Sequence, residues 1–366
     1  MTAPPVHLAR LESQVPGAPE VPLKLVPRNN QDVASILRYA SDKSLNVQVW
    51  GGGTRSGYGT PARPDIVMSM QGLGEVEKWE PDDLTLVVGA GASVGEVESM
   101  LSERNQTAVL PEVPRKSTIG GVLAAGASAF RRTRLYGTRE RVLEATVVTG
   151  DGRIVRGGGR VVKNVTGYDL QRLMVGAFGS LGVIVSVCLK LWPAPAHRAT
   201  VTISAVDEAK KIARPLAVLE DPEATRVFVW GTQEEVAAKA SKLGGLVEEG
   251  HQWPSDPVDE FCWSLRVPPA LTGEAVNRLP AGWDFVALHG VGELRAASES
   301  IEGARYLRDW AEAVGGHLVV TQAPADGLGA FDPWGSSPPA MEIQRRLIAE
   351  FDPARVINPG RLPGGL

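Results

Sequence analysis

Cysteine is scarce. Cys188 and Cys262 are the only two in a chain of 366 residues, and they sit far apart in apolar surroundings. An iron–sulfur cluster takes about four soft ligands, so the chain is not expected to hold one. Two buried, reduced thiols of a cytosolic protein are the plainer reading, and no metal site is expected. Long runs of lysine and arginine are also missing, and the formal net charge is only -4. Binding phosphate backbones takes a concentrated basic surface, which argues against a nucleic-acid partner. The longest apolar stretch, Leu181 to Trp192, is too short to cross a bilayer and contains Lys190. Met1 to Gln14 has no basic segment followed by an apolar core, so no secretory signal is expected. The expectation is a cytoplasmic protein that reaches a membrane only through a partner.

With 43% apolar and 22% charged residues, the composition is that of a soluble globular protein. The length suggests about two domains. Asn30 is a candidate cap for a helix that shows Val33, Ile36, Leu37 and Ala40 on one face. A strand, Val47 to Trp50, then runs into Gly51-Gly52-Gly53-Thr54-Arg55-Ser56-Gly57. Further strands are expected at Ile66–Met70, Leu84–Val88 and Val142–Thr149, with a helix from Val94 to Arg104. Gly150-Asp151-Gly152 reads as a hairpin turn. The character changes around Pro193-Ala194-Pro195-Ala196. Beyond it strands and amphipathic helices alternate, including a helix from Ala205 to Leu219 and one with Ala304, Leu307, Ala311 and Val314 on one face. This pattern suggests a separate α+β domain. A Gly/Pro-rich stretch, Ala323 to Pro339, precedes a last helix and the ending Asn358-Pro359-Gly360-Arg361.

The glycine loop carries the strongest chemical signal. Without a Cβ, its residues can turn through positive φ and aim successive N–H groups inward, forming a concavity suited to a pyrophosphate. A tight turn after a strand is the alternative. Pro111-Glu112, Ser117-Thr118-Ile119-Gly120-Gly121 and Ala125-Gly126-Ala127-Ser128 add hydroxyls and amides at a helix start, a second approach to an anion. Gly176-Ala177-Phe178-Gly179-Ser180-Leu181-Gly182-Val183-Ile184 would let backbone pass close to a flat ring. A second glycine run, Val88-Gly89-Ala90-Gly91-Ala92-Ser93-Val94-Gly95, imitates a dinucleotide fingerprint. Its third glycine comes one residue late, and a strand-turn-helix corner is the better reading.

In this order and spacing, the segments resemble the PCMH-type FAD-binding domain of the vanillyl-alcohol-oxidase superfamily, over about residues 20–197 and the C-terminal tail. The resemblance implies an α+β protein: two α/β subdomains around FAD, then a cap domain with an antiparallel sheet. It sets the domains at 1–197, 198–322 and a returning tail, 323–366. It implies that Gly51, Gly52, Gly53, Thr54, Arg55, Ser56 and Gly57, with Ser117, Thr118, Gly120 and Gly121, hold the pyrophosphate. Pro111, Ala125 and Ser128 join the cofactor-binding set. The segment from Phe178 to Ile184, including Gly179, Gly182, Val183 and Ile184, would lie along the cofactor, and Asn358 would close over the flavin end. Members that attach FAD covalently do so through a His in the glycine loop. This loop has neither His nor Cys, so the resemblance implies non-covalent FAD.

A closer likeness lies in Arg131-Arg132, Tyr136-Gly137, Val147 to Gly152, Gly157 to Leu170, Trp334-Gly335, Phe351-Asp352-Pro353 and the Asn-Pro-Gly-Arg ending. These resemble the smaller FAD-binding subunit of bacterial glycolate oxidases. That family implies two partners, a second flavoprotein subunit and an iron–sulfur subunit, and a small 2-hydroxy-acid substrate. Catalytic relatives carry His-x-Gly-Asp-Gly-Asn-x-His, of which only His289-Gly290-Val291-Gly292 is a trace here. A base with an oriented partner is hard to assemble from it. His289 is therefore a weak catalytic candidate, with a structural histidine as the alternative. Arg132 is the other: Arg131, Arg132, Arg134 and Lys163 suit a substrate carboxylate or an acidic partner surface, or form a solvated loop. The functions carried forward are a complex-bound FAD subunit, a self-sufficient FAD-dependent D-2-hydroxy-acid dehydrogenase, and a scaffold that has lost FAD.

Overall fold

The apolar run after Gly182 becomes a strand, Val183–Lys190, in which every residue but the last is buried. Apolar and polar residues do not alternate along it because both of its faces meet a core. Val183 and Val185 enter one hydrophobic cluster, and Ile184, Val187 and Leu189 enter another. Burial on both faces removes the period-2 signal that a half-exposed strand would show.

The computed structural model describes residues 23–60, 63–160, 168–324 and 326–366. The chain divides into two units, the first running up to Ser128 and including Gly137–Trp192 and Ser337–Leu366, the second Ala129–Tyr136 and Pro193–Ser336. The expected boundaries at 197/198 and 322/323 therefore move. Residues up to Ser336 stay with the second unit because Arg308 donates to the Asp332 carbonyl (2.7 Å) and Glu312 accepts from the Ser336 amide (3.0 Å). The small insertion, Ala129–Tyr136, belongs to the second unit although the first surrounds it in sequence. Only contacts remote in sequence could reveal this.

The first unit holds two sheets. A parallel one orders Leu23–Leu25, Ile66–Ser69 and Val47–Trp50. Helix Asn30–Lys43 buries Val33, Ala34, Ile36, Leu37 and Ala40, and its cap is Asn29, one residue before the expected Asn30. The Asn29 side chain accepts from the Asp32 amide (2.9 Å). An antiparallel sheet orders Val76–Glu80, Thr85–Gly89, Val183–Lys190, Val142–Val148 and Ile154–Gly158. The expected turn joins the last two strands in sequence, with Gly152 at φ +78. The second glycine run is a corner: a Cβ on Gly89 or Gly91 would strike the carbonyls of Leu73 or Met70, so these glycines serve close backbone packing.

The second unit is built on an eight-stranded antiparallel sheet, in the order Leu246–Glu249, His197–Ile203, Thr225–Gly231, Ala217–Glu220, Asp284–Leu288, Glu293–Ser298, Phe261–Arg266 and His317–Gln322. Helix Ala304–Ala313 buries Ala304, Leu307 and Ala311, as the spacing predicts. The helix expected from Ala205 to Leu219 does not form. A short 3-10 turn, Val206–Lys211, gives way to strand Ala217–Glu220. Between them Arg214 takes φ 56, and Pro215 cannot donate an N–H and keeps the preceding residue out of helical backbone.

Candidate functional site

Strand Val47–Trp50 delivers the chain into the glycine loop, and the loop's glycines answer a steric demand. A Cβ on Gly51 would strike the Thr118 hydroxyl, and one on Gly52 the Lys116 carbonyl. Gly53 sits at φ +71, where a side chain is strained. The segment Lys116–Thr118 thus lies directly against the loop, and the Thr54 and Ser117 hydroxyls are 2.9 Å apart. Thr118 caps the following short helix, accepting from the Gly121 amide (3.2 Å). Two segments more than 60 residues apart in sequence form one wall.

The C-terminal tail locks this wall. Asn358 adopts left-handed backbone, φ 47, which Asn tolerates better than most residues. Its side-chain oxygen accepts from the Val49 amide (3.1 Å), and its side-chain nitrogen donates to the Phe178 carbonyl (2.8 Å). Its own amide donates to the Val47 carbonyl (2.8 Å). Arg361 donates to the carbonyls of Ser56 and Tyr58, each at 2.8 Å. Burial holds the Arg361 pKa below the ordinary arginine value.

One cleft results. Among the expected cofactor residues it is lined by Gly51, Gly52, Gly53, Thr54, Arg55, Ser56, Thr118, Gly121, Ala125 and Asn358. Phe178, expected along the cofactor, lines it too, as do Gln48, Val49, Trp50, Ala124 and Arg361, which are not among the expected site residues. Arg361 was legible within the Asn-Pro-Gly-Arg ending; Gln48 and Trp50 needed the loop's curvature. The remaining expected residues are elsewhere. Ser117 meets the cleft only through Thr54. Gly120 faces Ala90, Gly179 abuts the Asn358 amide, and Gly182 abuts Val147. Val183 and Ile184 point into the two cores. Pro111 is buried and Gly57 exposed, and neither lines the cleft. The Ser128 hydroxyl accepts from the Thr138 amide (3.2 Å). Tyr168 is solvent-exposed. Lys163, within residues 161–167, lies outside the described residues.

The donor set fits FAD. Two arginines, three hydroxyl residues and the successive glycines of the loop line the cleft, with no carboxylate among them, which suits a pyrophosphate. Nor is there a His or Cys among these lining residues. Cys188 is a strand residue whose thiol burial pushes up to about 11.

The comparisons with known proteins agree with this chemistry. Residues 22–158 match the family described as FAD binding domain. The chain carries an FAD-binding domain. FAD is its cofactor, and the chain's relatives include dehydrogenases and oxidase subunits. It is 30% identical to D-lactate dehydrogenase of Archaeoglobus fulgidus over 66% of this chain and 53% of that protein. It is 29% identical to the glycolate oxidase subunit GlcE of Escherichia coli over 78% of this chain and 84% of that protein. With glycolate oxidase subunit GlcD of Bacillus subtilis the identity is 29%, over 54% of this chain and 45% of that one. The chain therefore spans about half the length of the lactate dehydrogenase and of GlcD. In fold it is similar to alkyldihydroxyacetonephosphate synthase, with a TM-score of 0.65 at 14% identity, covering 93% of this chain and 76% of that one.

The two catalytic candidates both lie in the second unit. His289 follows strand Asp284–Leu288, and its Nε2 is 2.7 Å from a Glu220 side-chain oxygen on the neighbouring strand. The sequence trace offered no oriented partner for His289. Glu220, 69 residues away, provides one through strand pairing. Arg132 is ion-paired to Glu293, which Arg266 (3.3 Å) and Arg295 (3.2 Å) also approach. Arg295 in turn pairs with Asp256 (2.6 Å) and covers the Phe130 ring at 4.3 Å. Burial alone would raise the Glu293 carboxyl, but Arg295, Arg266 and Arg132 hold it down at about 2. Arg132 is thus tied to a buried carboxylate within its own unit rather than displayed on a solvated loop. Among the described residues, no group of three or more His, Cys, Asp or Glu could hold a metal ion. No described helix is long and apolar enough to cross a membrane.

Replacing Asn358 by Ala frees the Val49 amide and the Phe178 carbonyl together. It is expected to cost about 1–3 kcal/mol and to release flavin on gel filtration, where the wild type retains it. Glu293, with a depressed pKa, stabilises the fold above the ordinary carboxylate range, and that contribution is lost as pH falls from 4.5 toward about 2. Urea unfolding across that window should show a steep fall for the wild type. The fall should be shallower for Glu293→Gln, which is about 3–5 kcal/mol less stable at neutral pH because three guanidiniums lose their counter-charge.

Proposed function

We propose that this chain is the FAD-binding subunit of a glycolate-oxidase-type complex, acting in the oxidation of glycolate or a similar 2-hydroxy acid. The observation that carries this reading is the extent of similarity to GlcE, over 78% of this chain and 84% of that subunit. Bound FAD supplies a two-electron acceptor for the hydride leaving the hydroxyl-bearing carbon. This chain's glycine loop and Thr54 hold the pyrophosphate, and Asn358 and Arg361 keep the loop closed around it. Attachment is non-covalent, which the absence of His and Cys from the cleft lining supports. The proposed partners are a second flavoprotein subunit of the GlcD kind and an iron–sulfur subunit. Electrons pass to them because this chain has only two cysteines of its own.

One observation favours a second reading. His289 with Glu220 at 2.7 Å is a histidine oriented by a carboxylate, the arrangement a general base needs. Under that reading the chain is a self-sufficient D-2-hydroxy-acid dehydrogenase, in keeping with its similarity to D-lactate dehydrogenase.

Anaerobic visible spectra of the purified chain, before and after glycolate or D-lactate, separate the two. The flavin band should persist with the chain alone and bleach once the partner subunits are added. Bleaching by the chain alone, abolished in His289→Ala, would establish the second reading instead. Acid-precipitated protein should be colourless, its flavin left in the supernatant.

A further inference from the structure

Gln48 sits three residues before the first glycine of the loop, on strand Val47–Trp50, and is 5% exposed. Its side-chain oxygen is sealed from solvent and has no hydrogen-bond partner among the described residues. The residue opposite it in the sheet register is Val67, buried and apolar, and Val47 and Val49 flank it in the strand. A buried amide oxygen without a partner destabilises the fold that carries it.

The position of Gln48 supplies the reason. It lines the glycine-loop cleft, and it also lines a second cleft of about 380 Å³ walled by Asn46, Thr60, Arg63 and Asn358. A carboxamide can present a donor or an acceptor by a half-turn about its last bond, so either a hydroxyl or a ring N–H or carbonyl can satisfy it. FAD offers all of these, and the cleft is the one built to receive its pyrophosphate. We propose that Gln48 is a cofactor-positioning residue whose carboxamide takes its missing hydrogen-bond partner from bound FAD. The inference rests on FAD as the cofactor and is independent of the substrate and of the partner subunits.

The test compares wild type, Gln48→Leu and Gln48→Met in two measurements. FAD affinity is followed by quenching of flavin fluorescence during titration of flavin-stripped protein. Melting temperature is recorded with and without saturating FAD. Losing one ligand hydrogen bond weakens FAD binding about tenfold. The stripped variants are expected to melt at or above the wild-type temperature, because the orphaned amide is gone. The melting shift that FAD produces in the wild type should shrink in both. Unchanged affinity in the variants overturns the proposal. So does a loss of affinity that tracks a fall in the melting temperature of the stripped protein, since Gln48 would then be supporting the fold. Gln48→Met keeps the side-chain length and carries the test if Gln48→Leu does not fold. Wild-type protein that fails to quench FAD would instead overturn the assignment of the cleft.

Discussion

The three hydrogen bonds of Asn358 are the constraint on which the candidate cofactor cleft depends. One residue from the far end of the chain bonds to Val47, Val49 and Phe178, which come from two different segments of the first unit. Beside it, Ile357 forms a parallel bridge with Val47, whose amide donates to the Val356 carbonyl (2.7 Å), so the tail covers that edge of the strand leading into the glycine loop. The left-handed backbone at Asn358 makes the geometry possible. It lets the amide point back at the strand while the side chain reaches across to Phe178, itself left-handed at φ 51. Arg361, three residues on, extends the same clasp to the loop carbonyls.

Given that clasp, the loop's composition follows. Glycine at 51 and 52 is required by the Lys116–Thr118 segment pressed against it. The close approach brings loop glycines and hydroxyl residues to a common space, and the protein's own second segment forbids a Cβ at Gly51 and Gly52. Catalysis and cofactor binding often depend on groups that a fold would otherwise discard. The isolated carboxamide of Gln48, beside that space, is such a group.

The second unit turns Arg132, Glu293 and Arg295 inward. Arg132 and Phe130 come from a segment inserted within the first unit's sequence, yet both are held by residues of the second: Arg132 by Glu293, Phe130 beneath Arg295. Phe130 also approaches Trp253, which stacks on Phe228 at 4.0 Å. This combination of ion pairing and ring packing anchors the insertion. Arg132, which reads as part of a basic loop for capturing an anion, is paired with an internal carboxylate.

Much of the fold was legible because it is written locally. The helix faces at Val33–Ala40 and Ala304–Ala311 follow from spacing, and the Gly150–Gly152 turn from turn chemistry. The glycine loop and the Asn358 ending read as a candidate cofactor cleft, and the fold brings the two together around one space. Other features are set by contacts between residues far apart in sequence. Pairing of strands Ala217–Glu220 and Asp284–Leu288 gives His289 its carboxylate, Glu220. Val183 and Ile184 look like residues beside a flat ring, but a central strand position turns them into two cores. Arg132 looks free until Glu293 is brought to it. The sequence by itself determined which segments could turn, cap or cradle an anion, because those properties belong to single residues and their neighbours. Which of those groups face the cleft and which are consumed by the protein's own packing was decided only by the tertiary structure, because a buried charge or amide takes its role from whatever partner the fold places within hydrogen-bond reach.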